Sequence, residues 1–145
     1  MRFIAALLPA ITALAMVELA QAQEAASASA EADKVLIFFA WDRPVIDGDA
    51  AARLQALATT VRNMPGITLE LGGHADRSGP SASNLRSGRA RAEAVRGFLA
   101  ARGVPDTAMT IFSHGEERPL IVTADGVREP QNRRVEIILR RRPAA

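Results

Sequence analysis

Gly72-Gly73-His74-Ala75-Asp76-Arg77-Ser78-Gly79 gathers a carboxylate, an imidazole, a hydroxyl and a guanidinium into one short stretch. Three kinds of chemistry could use such a set. A hydrolase would take Ser78 as nucleophile, His74 as base and Asp76 to orient the base. Those three lie within five residues, and neither a nucleophile elbow nor an oxyanion arrangement accompanies them. The expectation is therefore no enzyme. A metal site would draw on His74, His114 and Asp76, but two histidines without a clear third ligand make a weak case, and neither metal nor cofactor is expected. His74 reads better as a loop-shaping hydrogen-bonding residue and His114 as a loop residue. The third chemistry is recognition of a small charged ligand. Where a strand end, a polar loop and a helix N-terminus meet, unpaired N–H groups and the helix dipole favour a negative group. Asp76 adds an anion at the same place, so a ligand bearing both an ammonium and a carboxylate suits it best.

The elements around this stretch follow from periodicity. Ile67, Leu69 and Leu71 alternate with Thr68 and Glu70, which predicts a half-buried strand over Ile67 to Gly73. Ser78-Gly79-Pro80 forces a turn, and a helix follows from Ser81 to Arg102, with Gly103 as its exit. Leu85, Ala92, Val95 and Leu99 make its apolar stripe. Upstream, Lys34 to Trp41 is a continuous apolar run that predicts a central strand covered on both faces. Asp42-Arg43-Pro44 ends it. Asp47-Gly48-Asp49 offers a cap for a helix over Ala50 to Asn63, stopped by Met64-Pro65-Gly66. Downstream, Thr110 to Ser113 is a short strand and His114 to Gln131 a long polar loop of the kind that is often functional. Arg133 to Arg140 alternates, with Val135, Ile137 and Leu139 on one face and Arg134, Glu136 and Ile138 on a face partly open to solvent. The order is βαβαββ, an α/β (α+β) sandwich with two main helices on one face of a mixed sheet.

The chain has 145 residues, room for one domain and short extras. Met1 to Ala22 reads as a secretory signal: Arg2, an apolar run from Phe3 to Val17, and Ala20-Gln21-Ala22 as cleavage site. That run is too short for a comfortable membrane span, and no transmembrane segment is expected in the mature chain. Residues 23–33 form an Ala/Ser/Glu linker, 34–140 the domain, and 141–145 a basic tail. No cysteine is present, which excludes disulfides, thiolate metal sites and a lipid-modified cysteine near the cleavage site. Net charge is +2 and aromatic residues are only 4%, which argues against nucleic-acid binding.

Three blocks in order carry a family resemblance. His74-Ala75-Asp76-Arg77-Ser78-Gly79 with Asn84, Arg91-Ala92 and Val95 is the first. Gly115-Glu116-Glu117-Arg118-Pro119-Leu120 and Asn132-Arg133-Arg134-Val135-Glu136-Ile137 follow. Together they resemble the OmpA-like peptidoglycan-binding domain, over roughly Val35 to Leu139. The resemblance implies a periplasmic protein, associated with the cell wall or outer membrane, that holds the peptide stem of peptidoglycan at diaminopimelate or a similar zwitterionic residue. The alternative is an envelope interaction protein, with protein partners, that keeps the fold and has little or no wall affinity.

In that family an Asp and an Arg hold the ligand, and these correspond to Asp76 and Arg91. Physics runs parallel: an ammonium wants a carboxylate, and a carboxylate wants a planar guanidinium. Asn84 lies seven residues before Arg91 and shares its helix face. It either contacts the ligand, which the resemblance favours, or pins the loop. Arg134 either reaches a second ligand carboxylate or pairs with Glu116 or Glu136. Arg133 reads as structural. Two departures stand out. Ser83 replaces a frequent Tyr, and Ser87-Gly88 replaces a Leu-Ser pair, which predicts a hole at Ser87 costing about 2–5 kcal/mol unless Leu85 or Phe98 fills it. Gly88 is expected to cost about 1 kcal/mol of helix propensity.

Overall fold

The computed structural model describes residues 16–21 and 34–141. Residues 16–21 are helical. The rest of the expected signal peptide, the expected linker over 23–33 and the tail after Arg141 lie outside the described residues. Among the described residues, no helix is long and apolar enough to cross a membrane.

Strand β1 (Lys34–Phe38) leads to helix α1 (Gly48–Asn63), β2 (Ile67–His74), helix α2 (Ser81–Ala100), β3 (Met109–Gly115) and β4 (Arg134–Arg141). Asp47 caps α1 as its position predicts, its carboxylate accepting from the Ala50 N–H at 2.9 Å. The sheet order is β1-β4-β2-β3. β2 runs parallel to β3 and antiparallel to β4, and β4 is antiparallel to β1. The βαβαββ sandwich is thus as expected, but β1 lies at an edge instead of the centre. Its apolar run misleads because only Ile37 and Phe39 are buried, while Phe38 is 41% exposed on the face away from the helices.

The core lies between the sheet and the helices. Leu54, Leu57 and Val61 of α1 and Ala92, Val95 and Leu99 of α2 meet Ile37, Leu69, Leu71, Val135 and Ile137 of the sheet. At the N-terminal half of α2 the packing changes character. Leu85, predicted as part of the apolar stripe, is half exposed and stands outside the buried face. In place of large side chains, Gly88 presses its backbone on Gly73. A Cβ on Gly73 would sit 1.8 Å from the Gly88 carbonyl oxygen, and one on Gly88 would lie 2.8 Å from the Gly73 oxygen. Nearby, the Ser113 hydroxyl donates to the Leu85 carbonyl at 2.6 Å. Ser87, where a hole is expected, is only half-buried, and beside it the helix descends until the backbone of Gly88 touches the strand. Gly88 is a packing requirement before it is a helix-propensity cost.

The other face of the sheet carries a charged cluster. Arg134 donates to Glu136 at 2.8 and 3.0 Å and to the Arg118 carbonyl at 3.1 Å, and Lys34 pairs with Glu136 at 3.1 Å. Arg134 is buried by the loop that follows β3, contrary to the open face that alternation alone suggests. Beside it the His74 ring, 2% exposed, faces His114 at 5.0 Å between centroids. Its Nε2 is 3.8 Å from Glu136, beyond hydrogen-bond reach, and neither ring nitrogen is hydrogen-bonded among the described residues. The ring is therefore a buried, neutral core group rather than the loop-shaping hydrogen-bonding residue expected. Burial first, then the positive charge of Arg134, overcome the attraction of Glu136 and lower its pKa to about 4.

Two predictions follow from these packings. Gly73→Ala should destabilise the domain by about 3 kcal/mol or more in urea unfolding. Gly97→Ala, whose Cβ meets nothing within 4 Å, should stabilise it by about 0.5–1 kcal/mol. A Gly73→Ala midpoint at or above wild type would remove the backbone contact from the account. The second concerns pH. The folded chain refuses the proton that the unfolded His74 accepts near its ordinary value, so stability is full above about pH 6.5 and falls as pH drops toward about 4. His114, also lowered by burial and by Arg118, adds to the same trend. The melting temperature should drop across this window in wild type and drop less in His74→Gln; equal drops would assign the loss to other groups.

Candidate functional site

The Gly73–Gly88 contact places the end of β2 against the middle of α2, and the candidate residues sit on either side of it. One residue beyond Gly73, the His74 carbonyl accepts from Arg91 Nη1 at 2.9 Å. Arg91 lies three residues beyond Gly88, on the same helix face, and is only 5% exposed. Asn84 lies four residues before Gly88. Its amide nitrogen donates to the Gly79 carbonyl at 3.0 Å and to Glu116, tying the turn before α2 to the end of β3. These bonds match the loop-pinning role, one of the two open to Asn84.

Asp76 sits just past the strand end, 3% exposed. One carboxylate oxygen accepts from the Ser78 N–H at 3.2 Å and from the Ser78 hydroxyl. The other accepts from Arg133 Nη1 at 2.9 Å and from the Glu129 N–H at 3.2 Å. Burial alone would raise its pKa, but the Ser78 hydroxyl, Arg133 and the two backbone donors outweigh that and hold the carboxyl below the ordinary aspartate value. Arg133, expected to be structural, is thus the guanidinium in direct contact with Asp76. Its Nε also donates to the Phe39 carbonyl at 3.3 Å.

The four expected residues divide accordingly. Asp76 and Arg91 are neighbours: they act on one another electrostatically without forming an ion pair. Burial first, then repulsion from Arg133, lower the Arg91 pKa, with Asp76 pulling the other way. Asn84 frames the loop beside them. Arg134 is on the opposite face of the sheet with Glu136, the ion-pair alternative, while Glu116 serves Asn84 instead.

Loop residues that sequence reasoning passed over complete the site. Gly126 N–H donates to the Arg77 carbonyl at 2.6 Å, and the Arg77 guanidinium pairs with Asp125. With the Glu129 bond, these contacts lace residues 125–129 to the Asp76 turn. Asn132, fully buried, shapes the same loop: its oxygen accepts from the Leu120 and Ile121 N–H groups and its nitrogen donates to the Ile121 carbonyl, all at 2.8 Å. A cleft of about 250 Å³ opens there, lined by Arg77, Ser78, Gly79, Glu116, Asp125 and Gly126. The available signal for Arg133 was strand parity: counting back from Val135 puts Arg133, not Arg134, on the helix side.

Comparison with known proteins places this geometry. A model of the OmpA family matches residues 38–133. The peptidoglycan-associated lipoprotein of Brucella melitensis is 40% identical over 103 residues, 71% of this chain and 61% of that protein. The chain therefore spans about three fifths of the length of such curated relatives. An outer membrane protein of Gluconacetobacter diazotrophicus is 37% identical over 110 residues, 72% of this chain and 29% of its own length. Among solved structures, the peptidoglycan-associated lipoprotein from Burkholderia pseudomallei superposes with a TM-score of 0.68 at 32% identity, covering 72% of this chain and 89% of that one. The C-terminal domain of Helicobacter pylori MotB shares the fold, with a TM-score of 0.64 at 20% identity over 75% of this chain and 86% of that one. Matched by the family model through β2, α2 and the start of the last block, the chain belongs to the OmpA family.

Proposed function

We propose that this chain binds peptidoglycan non-covalently in the periplasm and anchors itself to the cell wall through the peptide stem, at a diaminopimelate-type residue. The observation that carries the reading is Arg91, a buried guanidinium held beside Asp76 where β2 hands over to α2. A ligand carboxylate would give Arg91 the counter-charge it lacks, and bidentate geometry would orient it. The names of the relatives, peptidoglycan-associated lipoprotein and outer membrane protein, support the same ligand and a place in the cell envelope. The role is binding and not catalysis. Two or three charge-assisted contacts at roughly 1.5–3 kcal/mol each, less the cost of association, give micromolar or weaker affinity per site. A wall that presents stem peptides densely retains such a protein by rebinding.

One observation favours a second reading. Asp76 and Arg91 are both buried, and Asp76 already has four internal donors. If residues 125–129 stay laced over the Asp76 turn, the chain keeps the fold as an envelope interaction protein without wall affinity.

Pelleting with purified sacculi separates the two. Wild type should co-sediment and be released by millimolar diaminopimelate. Arg91→Ala with native circular dichroism should bind at least about tenfold more weakly, the loss of one charge-assisted contact, and Asp76→Ala should weaken binding likewise because Asp76 holds Arg133 and the Ser78 turn in place beside Arg91. Equal pelleting of all three rejects the site, and a wild type that stays in solution supports the interaction reading.

A further inference from the structure

Asp76 and Arg91 are partnered unequally, and the inequality bears on which end of a ligand matters. Asp76 accepts four hydrogen bonds, about the full capacity of a carboxylate, and Arg133 neutralises it at 2.9 Å. An arriving ammonium would find no open lone pair there and would have to displace an internal donor. Arg91 is in the reverse position. It is as deeply buried, its hydrogen bond goes to a neutral carbonyl, and it forms no ion pair with a carboxylate among the described residues. A buried charge without a counter-ion is unfavourable, and a ligand that supplies one is rewarded twice, by the contact and by removal of that penalty. Beside the strand end, two guanidinium groups, Arg91 and Arg133, face the single carboxylate of Asp76.

We infer that recognition here is led by the carboxylate: the site selects ligands with a free carboxylate and largely ignores their amino group, and Arg133 sets that preference by occupying Asp76. The inference rests on the binding site proposed above and adds which stem chemistries it accepts. Stem residues whose carboxylate is amidated would be rejected. Those whose amine is acylated, as in a cross-link, would be retained.

The test titrates the full chain, by calorimetry or amide chemical shifts, with three probes: diaminopimelate, its N,N′-diacetyl derivative and its diamide. The diacetyl compound should bind within about threefold of the parent, and the diamide at least about thirtyfold more weakly, in line with losing a charged partner of Arg91. Binding of the diamide with loss of the diacetyl compound overturns the inference and leaves the proposed site standing. Binding of none of the three overturns both. Arg133→Gln frees Asp76 and should raise the parent-to-diacetyl preference to about tenfold or more, while Arg133→Lys, which keeps the charge, should restore the wild-type ratio. A ratio unchanged in Arg133→Gln would reduce Arg133 to a structural part. Because the readout is a ratio between ligands on one protein, a general loss of stability does not move it.

Discussion

Everything at this site depends on two backbones touching. Gly73 and Gly88 have no side chains, so α2 comes down onto β2 until carbonyl and Cα atoms are in contact. That approach brings Arg91 within a hydrogen bond of the His74 carbonyl and Asn84 over the Gly79 turn and Glu116. A larger residue at either position would lift the helix and separate the basic group from the strand end that orients it. The helix accepts a residue of poor intrinsic propensity in its middle because the geometry there admits nothing with a Cβ. The apolar half of α2, through Ala92, Val95 and Leu99, supplies the burial that holds the contact closed.

Much of this was legible in the residues. Periodicity and turn chemistry place all six main elements, and the Asp47 cap, the Gly103 exit with its positive φ of 88° and the buried Leu54-Leu57-Ala58-Val61 face follow from local rules. The misreadings came from properties that local rules do not contain. An apolar strand such as β1 reads the same at an edge as at the centre, since sheet order is a tertiary fact. Leu85 fits the helical stripe by spacing, yet the stripe ends where glycines take over. Ser87 reads as a core position by family resemblance, yet it is only half-buried beside the point where the helix backbone meets the strand.

Arg133 and Arg134 show the limit most sharply. Adjacent and identical in type, they point to opposite faces of the sheet and serve opposite ends of the charge map. Arg134 neutralises Glu136 under the loop that starts at Glu116, and Arg133 crosses to Asp76. Composition cannot separate them. Parity counted from the buried Val135 can, although Arg133 itself precedes β4 and leaves the short turn Pro130–Asn132 with φ of −86° and ψ of 80°. That turn is built on Asn132, whose side chain bonds three backbone groups of the preceding loop, and so the path of the loop decides where Arg133 can reach.

Burying the site has an energetic logic. In water, a guanidinium and a carboxylate attract weakly and are screened by salt. In a site closed to solvent the same attraction grows, because fewer water dipoles compete with it. The protein bears the penalty in its unliganded state, where Arg91 rests on a single carbonyl beside a second guanidinium. A carboxylate ligand at Arg91 would relieve that strain, so part of its affinity would come from removing an unfavourable arrangement rather than from adding a contact. It also makes the laced segment 125–129 more than a cover. Each contact that shields Asp76 from solvent, from Glu129 or through the Arg77–Asp125 pair, would have to be kept or replaced by any ligand that reached Asp76. A site that is strongly polarised but closed therefore gives up affinity to gain discrimination.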